Sequence, residues 1–211
     1  MINLFDKKEL HKGINFLALK HPIIINLKNK YGEPDFNRGT TGIFHSLIRS
    51  IISQQISTKA ASSVHTKFKA IFPEKNFIAQ DILQTKDSKL KLAGLSHQKI
   101  KYIKATAEYF KYTNFSNEDF EKMSNQQIHK ELIQIKGIGP WTIDMILIFT
   151  LGRPDIFPIG DLGVRNGFKI LFKTNTTEQQ MTRKSNQWKP YRTIMSWYLW
   201  RVVDGSWETM D

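Results

Sequence analysis

The sequence predicts an all-α protein, two helical lobes flanking a cleft, and three observations lead there. Apolar residues recur at three- and four-residue spacing over nearly the whole chain, the period of a helix with one buried face. No stretch alternates apolar and polar over a useful length, and the β-branched residues keep the helical spacing. The 211 residues suffice for a full core, in one large domain or two small lobes.

Element by element, Ile14, Leu17 and Ala18 predict a first helix, and Pro22 opens a second within His21 to Lys30. Thr41 is placed to cap a helix carrying Phe44, Leu47, Ile48, Ile51 and Ile52. The polar break Ser53-Gln54-Gln55-Ile56-Ser57 follows, and Ser57 can cap a helix with Ala60, Ala61, Val64 and Phe68. Ile82 to Leu92 reads as one short helix ended by Gly94, and Ser96 opens another with Ile100, Ile103 and Ala107. Glu118–Met123, Asn125–Ile135 and the apolar run Trp141–Leu151 complete the middle of the chain. Residues 29–41 and 173–185 read as its loosest segments. One lobe is expected over roughly 43–150, with a hairpin at 132–142, and the other from 1–42 with 151–211.

Thirty-one Lys and Arg against nineteen Asp and Glu leave a net charge of +12. That balance suits a protein that approaches polyphosphate, although a basic, solvated surface without a polyanionic partner would produce it too. With no cysteine, disulfides, thiolate nucleophiles, cysteine-held zinc and iron–sulfur clusters are excluded. Met1 to Gly13 mixes Asp6 and Glu9 with three lysines, unlike a secretory signal. The wholly apolar runs are far shorter than a membrane span. An intracellular, cytoplasmic protein with no membrane contact is expected.

The most informative stretch is Leu132-Ile133-Gln134-Ile135-Lys136-Gly137-Ile138-Gly139-Pro140-Trp141-Thr142. One helix ends near Ile135, two glycines permit a tight turn, and Pro140 suits the first position of the next helix. The backbone amides of Gly139 to Thr142 would then emerge from a helix N-terminus, where an anion can sit. A corner between two helices that binds nothing is the plain alternative. Further on, Gly160-Asp161 precedes Leu162, Val164, Phe168 and Leu171, so Asp161 reads as a helix N-cap.

With these residues the chain resembles the helix-hairpin-helix DNA glycosylase superfamily, specifically its DNA-3-methyladenine glycosylase II branch. Three blocks in order support the resemblance: the hairpin; Arg153-Pro154-Asp155-Ile156-Phe157-Pro158-Ile159-Gly160-Asp161; and Trp188-Lys189-Pro190-Tyr191-Arg192. It implies that Gly137, Gly139, Trp141 and Thr142 grip a phosphate of double-stranded DNA. It also implies a sodium or potassium ion on the backbone carbonyls of Ile133, Ile135 and Ile138, and no organic cofactor. The catalytic aspartate of the family falls on Asp161, rather than Asp144 or Asp155, and the wedge position falls on Gln55. Without the resemblance, Gln55 belongs to an ordinary polar loop.

Breaking an N-glycosidic bond builds positive charge on the sugar, which a fixed carboxylate stabilises while orienting or deprotonating a water. The target base must first leave the stack for a pocket. Trp141, Met145, Tyr191 and Trp200 are the candidate lining, with Trp200 at the family's stacking position. An indole face attracts a purine made cationic by alkylation; Trp188 and Trp197 are expected in the core. Bifunctional relatives carry a hairpin lysine that forms a Schiff base; Trp141 stands there in this chain, and Lys136 precedes the first glycine. The roughly forty residues before the matching region are too few and too helical for the β-rich N-terminal domain of some members.

The expected activity is monofunctional release of 3-methyladenine, with 7-methylguanine as a further substrate, by a monomer that leaves an abasic site for a separate endonuclease. Two alternatives stand beside it. One is a glycosylase for uracil, a mismatch or an oxidised base; the other is an inert DNA-binding module that uses the hairpin for grip.

Overall fold

A computed structural model describes residues 6–36, 42–73 and 76–205. Among these there is no strand; helices, 3₁₀ turns and loops account for the described residues. In chain order the helices are α1 (Lys7–Lys20), α2 (Ile23–Tyr31), α3 (Ile43–Ser53), α4 (Thr58–Lys69), α5 (Ala79–Gln84), α6 (Asp87–Leu92) and α7 (His97–Thr113). There follow α8 (Asn117–Lys122), α9 (Asn125–Leu132), α10 (Pro140–Phe149), α11 (Leu162–Leu171), α12 (Glu178–Ser185) and α13 (Arg192–Asp204). Most starts are set by a side-chain oxygen taking an otherwise unpaired amide: Ser57 from Ala60, Ser96 from Lys99, Ser124 from Gln127, Asp161 from Val164. Each such cap is worth about 1 kcal/mol.

Several boundaries differ from expectation. The single helix expected over Ile82–Leu92 is two, α5 and α6, because Thr85 adopts an extended backbone between them. The helix expected to reach Ile135 stops at Leu132, and Ile133 to Gly139 form the hairpin turn. The loose segment at 173–185 contains α12, opened by a reciprocal cap between Thr177 and Gln180 that the Thr-x-x-Gln spacing signals. Likewise α2 runs on to Tyr31. Thr41, read as a cap, lies outside the described residues. The N-cap of α3 is Gly42, and the Ile43 amide donates instead to the Asn117 side chain at 2.9 Å. A cap borrowed from a segment 74 residues away leaves no local signature.

The chain divides into two compact units, 39–146 and 1–38 with 147–211. In the first, α7 is the pillar against which α3, α5 and α6 pack. Leu47, Ile48, Ile51 and Ile52 of α3 and Ile100, Ile103 and Ala107 of α7 are buried together with Ile82 and Leu90. Burying each large side chain contributes roughly 1.5–3 kcal/mol. Phe44, Phe68, Phe72, Phe77, Phe110 and Phe120 extend this core as tilted and edge-on ring pairs.

In the second unit α13 is the spine. Every residue from Thr193 to Leu199 is buried, as expected of a helix apolar on all sides, and α11 packs along it. Trp188 is fully buried among Phe157, Phe168 and Phe172, and Trp197 is buried too, so both belong to the core as the sequence suggested.

Candidate active site and nucleic-acid interface

Asp161 lies at the end of an irregular, proline-punctuated loop and caps α11, with an extended backbone. Its Oδ1 accepts the Val164 amide at 2.9 Å and the Trp200 indole N–H at 2.8 Å. Two donors on one oxygen fix the carboxylate in orientation, and the group is only part-buried. The cap and the functional reading are therefore compatible, since the cap sets the direction in which the carboxylate is held.

Gly163 makes the indole contact possible. A Cβ there would stand 2.9 Å from Trp200 Cδ1 and 3.1 Å from Asp161 Oδ1, so a side chain would part the pair. The Trp200 ring also stacks on Phe149, with centroids 5.7 Å apart and planes at 29°. Phe149 is 36% exposed and was missed in the sequence. It had a signal: it continues the i, i+4 row of Trp141 and Met145 along α10.

Tyr191 is corrected. It is 3% exposed, with its ring against Phe16 and its hydroxyl donating to Glu9 at 2.6 Å. Burial, with the Glu9 carboxylate second, pushes its pKa up to about 12. The ring is packing between α1 and α13 rather than an open pocket wall, because both its face and its polar tip are already occupied. Asp155, weighed as a substitute for Asp161, is held by Arg192, with Nε to Oδ1 at 2.6 Å and Nη2 to Oδ2 at 3.0 Å.

In the 39–146 unit the hairpin turn packs on α7. Gly137 has φ of +92°, where only glycine is at ease. A Cβ there would stand 2.2 Å from the Tyr102 ring. Gly139 is the opposite: a Cβ at that position would meet nothing within 4 Å. The side of the turn next to the α10 N-terminus is thus open, where first-turn amides lack intrahelical acceptors and the helix dipole favours an anion. Thr142 is buried, Trp141 is 42% exposed and Met145 half-buried. Ile135 and Ile138 turn their side chains into the core.

Gln55 lies at the tip of the α3–α4 loop, exposed and with φ of +59°. A left-handed backbone is uncommon for a non-glycine residue and concentrates at functional sites. The loop is tied at its base: the Gln54 side chain donates through Nε2 to the Gly137 carbonyl at 3.1 Å, and Lys99 Nζ donates to the Ile52 carbonyl at 2.6 Å. The α3–α4 loop and the hairpin turn are therefore joined directly, through a residue that sequence reasoning passed over.

Gly139→Asp separates grip from fold. The open surroundings admit the side chain, and a carboxylate next to a helix N-terminus does not harm the helix. Thermal stability should hold while affinity for any duplex falls roughly tenfold or more through like-charge repulsion. The salt dependence of log Kd should flatten by about one phosphate contact. A folded variant that binds undamaged DNA normally would remove the hairpin from the interface.

The model of the HhH-GPD superfamily base excision DNA repair proteins matches residues 48–191, more than half of the chain. A curated relative, DNA-3-methyladenine glycosylase 1 of Schizosaccharomyces pombe, is 36% identical over 206 residues, covering 96% of this chain and 89% of its own. The solved structure of the S. pombe 3-methyladenine DNA glycosylase Mag1 in complex with abasic DNA superposes with a TM-score of 0.82 at 30% identity, covering 93% of this chain and 99% of that one. A DNA-3-methyladenine glycosidase of Bacillus halodurans superposes with a TM-score of 0.83 at 25% identity over 97% and 93% of the two chains.

Proposed function

We propose that this chain, which belongs to the HhH-GPD superfamily of base excision DNA repair proteins, is a monofunctional DNA glycosylase that hydrolyses the N-glycosidic bond of alkylated purines. The observation that supports it best is the Asp161 carboxylate, oriented by the Val164 amide and the Trp200 indole. As the bond to the base lengthens, positive charge develops on the sugar ring, and a preoriented anion stabilises that state more than the ground state. The same carboxylate orients the incoming water and accepts its proton. The product is free base and an abasic site.

The indole also bears on the substrate. Its single N–H is spent on Asp161, so Trp200 has a π face and no donor left for a base. A π face favours a ring carrying positive charge, as an N-methylated purine does. A neutral base, a poorer leaving group, would need a hydrogen bond that this indole cannot give. That favours 3-methyladenine over uracil or an oxidised purine.

The hairpin carbonyls of Ile133, Ile135 and Ile138 suit a monovalent cation. Ile133 is the C-cap of α9, at the negative end of a helix dipole, where carbonyls lack intrahelical donors. The Ile135 carbonyl accepts one N–H, from Ile138 at 3.0 Å, and an oxygen has a second lone pair. These are hard oxygen donors, the set an alkali cation prefers. A cation held there would add a positive charge facing a DNA phosphate, while Gly139 and Thr142 would present backbone amides to it. The chemistry needs no organic cofactor.

Methylated duplex DNA incubated with the full chain tests the activity. Free 3-methyladenine should appear in step with abasic sites, and strands should break only after alkali or an abasic endonuclease is added. Borohydride in the same reaction should trap no covalent adduct, since Trp141 stands where a Schiff-base lysine would. Release of uracil or an oxidised base in preference to 3-methyladenine would overturn the substrate, and an efficiently trapped complex the hydrolytic mechanism.

A further inference from the structure

Asp161 follows a segment without regular structure, and what holds that segment in place lies on α13, more than thirty residues later. Arg192, Ser196 and Trp200 fall at i, i+4 and i+8, one row along the helix. Each bonds to the loop, in the loop's own order. Arg192 grips Asp155 by the two contacts described and adds Nη2 to the Asp155 carbonyl at 3.0 Å. Thr193, beside the row, accepts the Ile156 amide at 3.0 Å and donates its hydroxyl to the Arg153 carbonyl at 2.7 Å. Ser196 Oγ stands 3.3 Å from the Ile156 carbonyl and shares its one proton between that oxygen and the Arg192 carbonyl at 3.0 Å, and Trp200 closes the row on Asp161 itself. From α11, Arg165 Nη1 adds a bond to the Ile159 carbonyl at 3.1 Å.

A single exposed ion pair would merit no role. This one is different in geometry. It is bidentate, it has a third bond to backbone, and its side chains are only 20% and 26% exposed. A planar fork on a carboxylate fixes direction as well as distance, which a lysine in the same place would not do. The loop it fixes ends, six residues on, at the carboxylate proposed to face the reacting sugar.

We propose that Arg192, acting through Asp155, is a positioning residue for Asp161: the ion pair sets the start of the loop, as Trp200 sets its end, so that the carboxylate is held at its working position. The inference rests on Asp161 being the catalytic carboxylate. Arg192 itself touches no reacting atom.

A double-mutant cycle on the full chain tests it, reading single-turnover release of 3-methyladenine from methylated duplex under enzyme excess. Arg192→Met keeps an aliphatic stem and removes the fork. It should lower the rate roughly ten- to a hundredfold, the scale of a small misplacement of a catalytic group, with affinity for an abasic-analogue duplex unchanged. Arg192→Lys should recover little of that loss, because charge without the fork does not position. In the Asp161→Asn background Arg192→Met should cost nothing further, since the group it positions is gone. An equal fractional loss in both backgrounds would show a general structural effect and overturn the proposal, as would weakened binding to undamaged duplex, which would make Arg192 a DNA contact. Should Arg192→Met not fold, Asp155→Asn, nearly isosteric, takes its place in the cycle with the same expected outcomes. Near-normal excision by Asp161→Asn alone would mark failure of the catalytic reading rather than of the clamp.

Discussion

Asp161→Asn is expected to fold normally, bind lesion and abasic-analogue duplexes as the unaltered protein does, and lose roughly a hundredfold or more of its single-turnover excision rate. Each part has a separate cause. Asn is as good an N-cap as Asp, and its amide oxygen can still accept from Val164 and from the Trp200 indole, so α11 and the loop before it should persist. What disappears is the negative charge, which matters most when the sugar is most positive, in the transition state. The loss should therefore fall on the chemical step and spare binding. Trp200→Phe isolates the other half of the pair: it keeps an aromatic face for Phe149 and for a base but removes the N–H that orients Asp161. A reduced rate with lesion binding retained is expected, whereas Trp200→Ala should also weaken lesion binding by about 1–3 kcal/mol, the usual worth of a base–aromatic stack. Excision assays and fluorescence anisotropy on matched duplexes supply both readings. If Asp161→Asn excises at a near-normal rate, the carboxylate serves only as a cap.

Gly137→Ala should be the most damaging single methyl group in the hairpin. The added carbon would enter the Tyr102 ring at 2.2 Å, and the residue would still have to hold φ of +92°. The left-handed backbone costs about 1–2 kcal/mol for a residue with a Cβ, and forced overpacking typically adds about 1–3 kcal/mol. For a chain of this size the sum corresponds to a fall in melting temperature of roughly 5–15 °C. DNA affinity is expected to drop with it, because Gln54 ties the α3–α4 loop to the Gly137 carbonyl and any shift of the turn is passed to Gln55, the residue proposed as the wedge. Tyr102→Ala in the same chain should relieve the overpacking and leave the backbone cost, so the double variant should regain only part of the stability lost by Gly137→Ala. A fully stable Gly137→Ala would mean that the turn does not pack on α7 as described. The contrast with Gly139 is informative: the two glycines lie two residues apart, one packed against the Tyr102 ring and the other facing open space.

The pattern of residues made the all-α class legible because helical periodicity is local, and the starts of α4, α7, α9 and α11 were legible because their caps are the residues just before them. The Lys-Gly-Ile-Gly-Pro-Trp-Thr run and the Gly160-Asp161 pair were legible for a related reason: a tight turn and a cap demand particular residue types at fixed short spacing. The break between α5 and α6 was not: α5 ends where Thr85 turns extended with its hydroxyl bonded back to the Asp81 carbonyl, and no glycine or proline marks the place. Tyr191 was misjudged because aromaticity is visible in a sequence and burial against Phe16 and Glu9 is not.

The amino-acid sequence by itself determined the helical class, the tight glycine turn before α10, and the carboxylate at the head of α11, all products of interactions within a few residues along the chain. Which groups act on that carboxylate was settled by folding. Trp200, thirty-nine residues away, donates to Asp161, Arg192 grips Asp155 at a separation of thirty-seven, and Gln54 reaches Gly137 across eighty-three. Hydrogen bonds are directional and short, so such partners are selected by the packing of α13 on α11 and of α3 on α7, and no local preference of the residues themselves announces them.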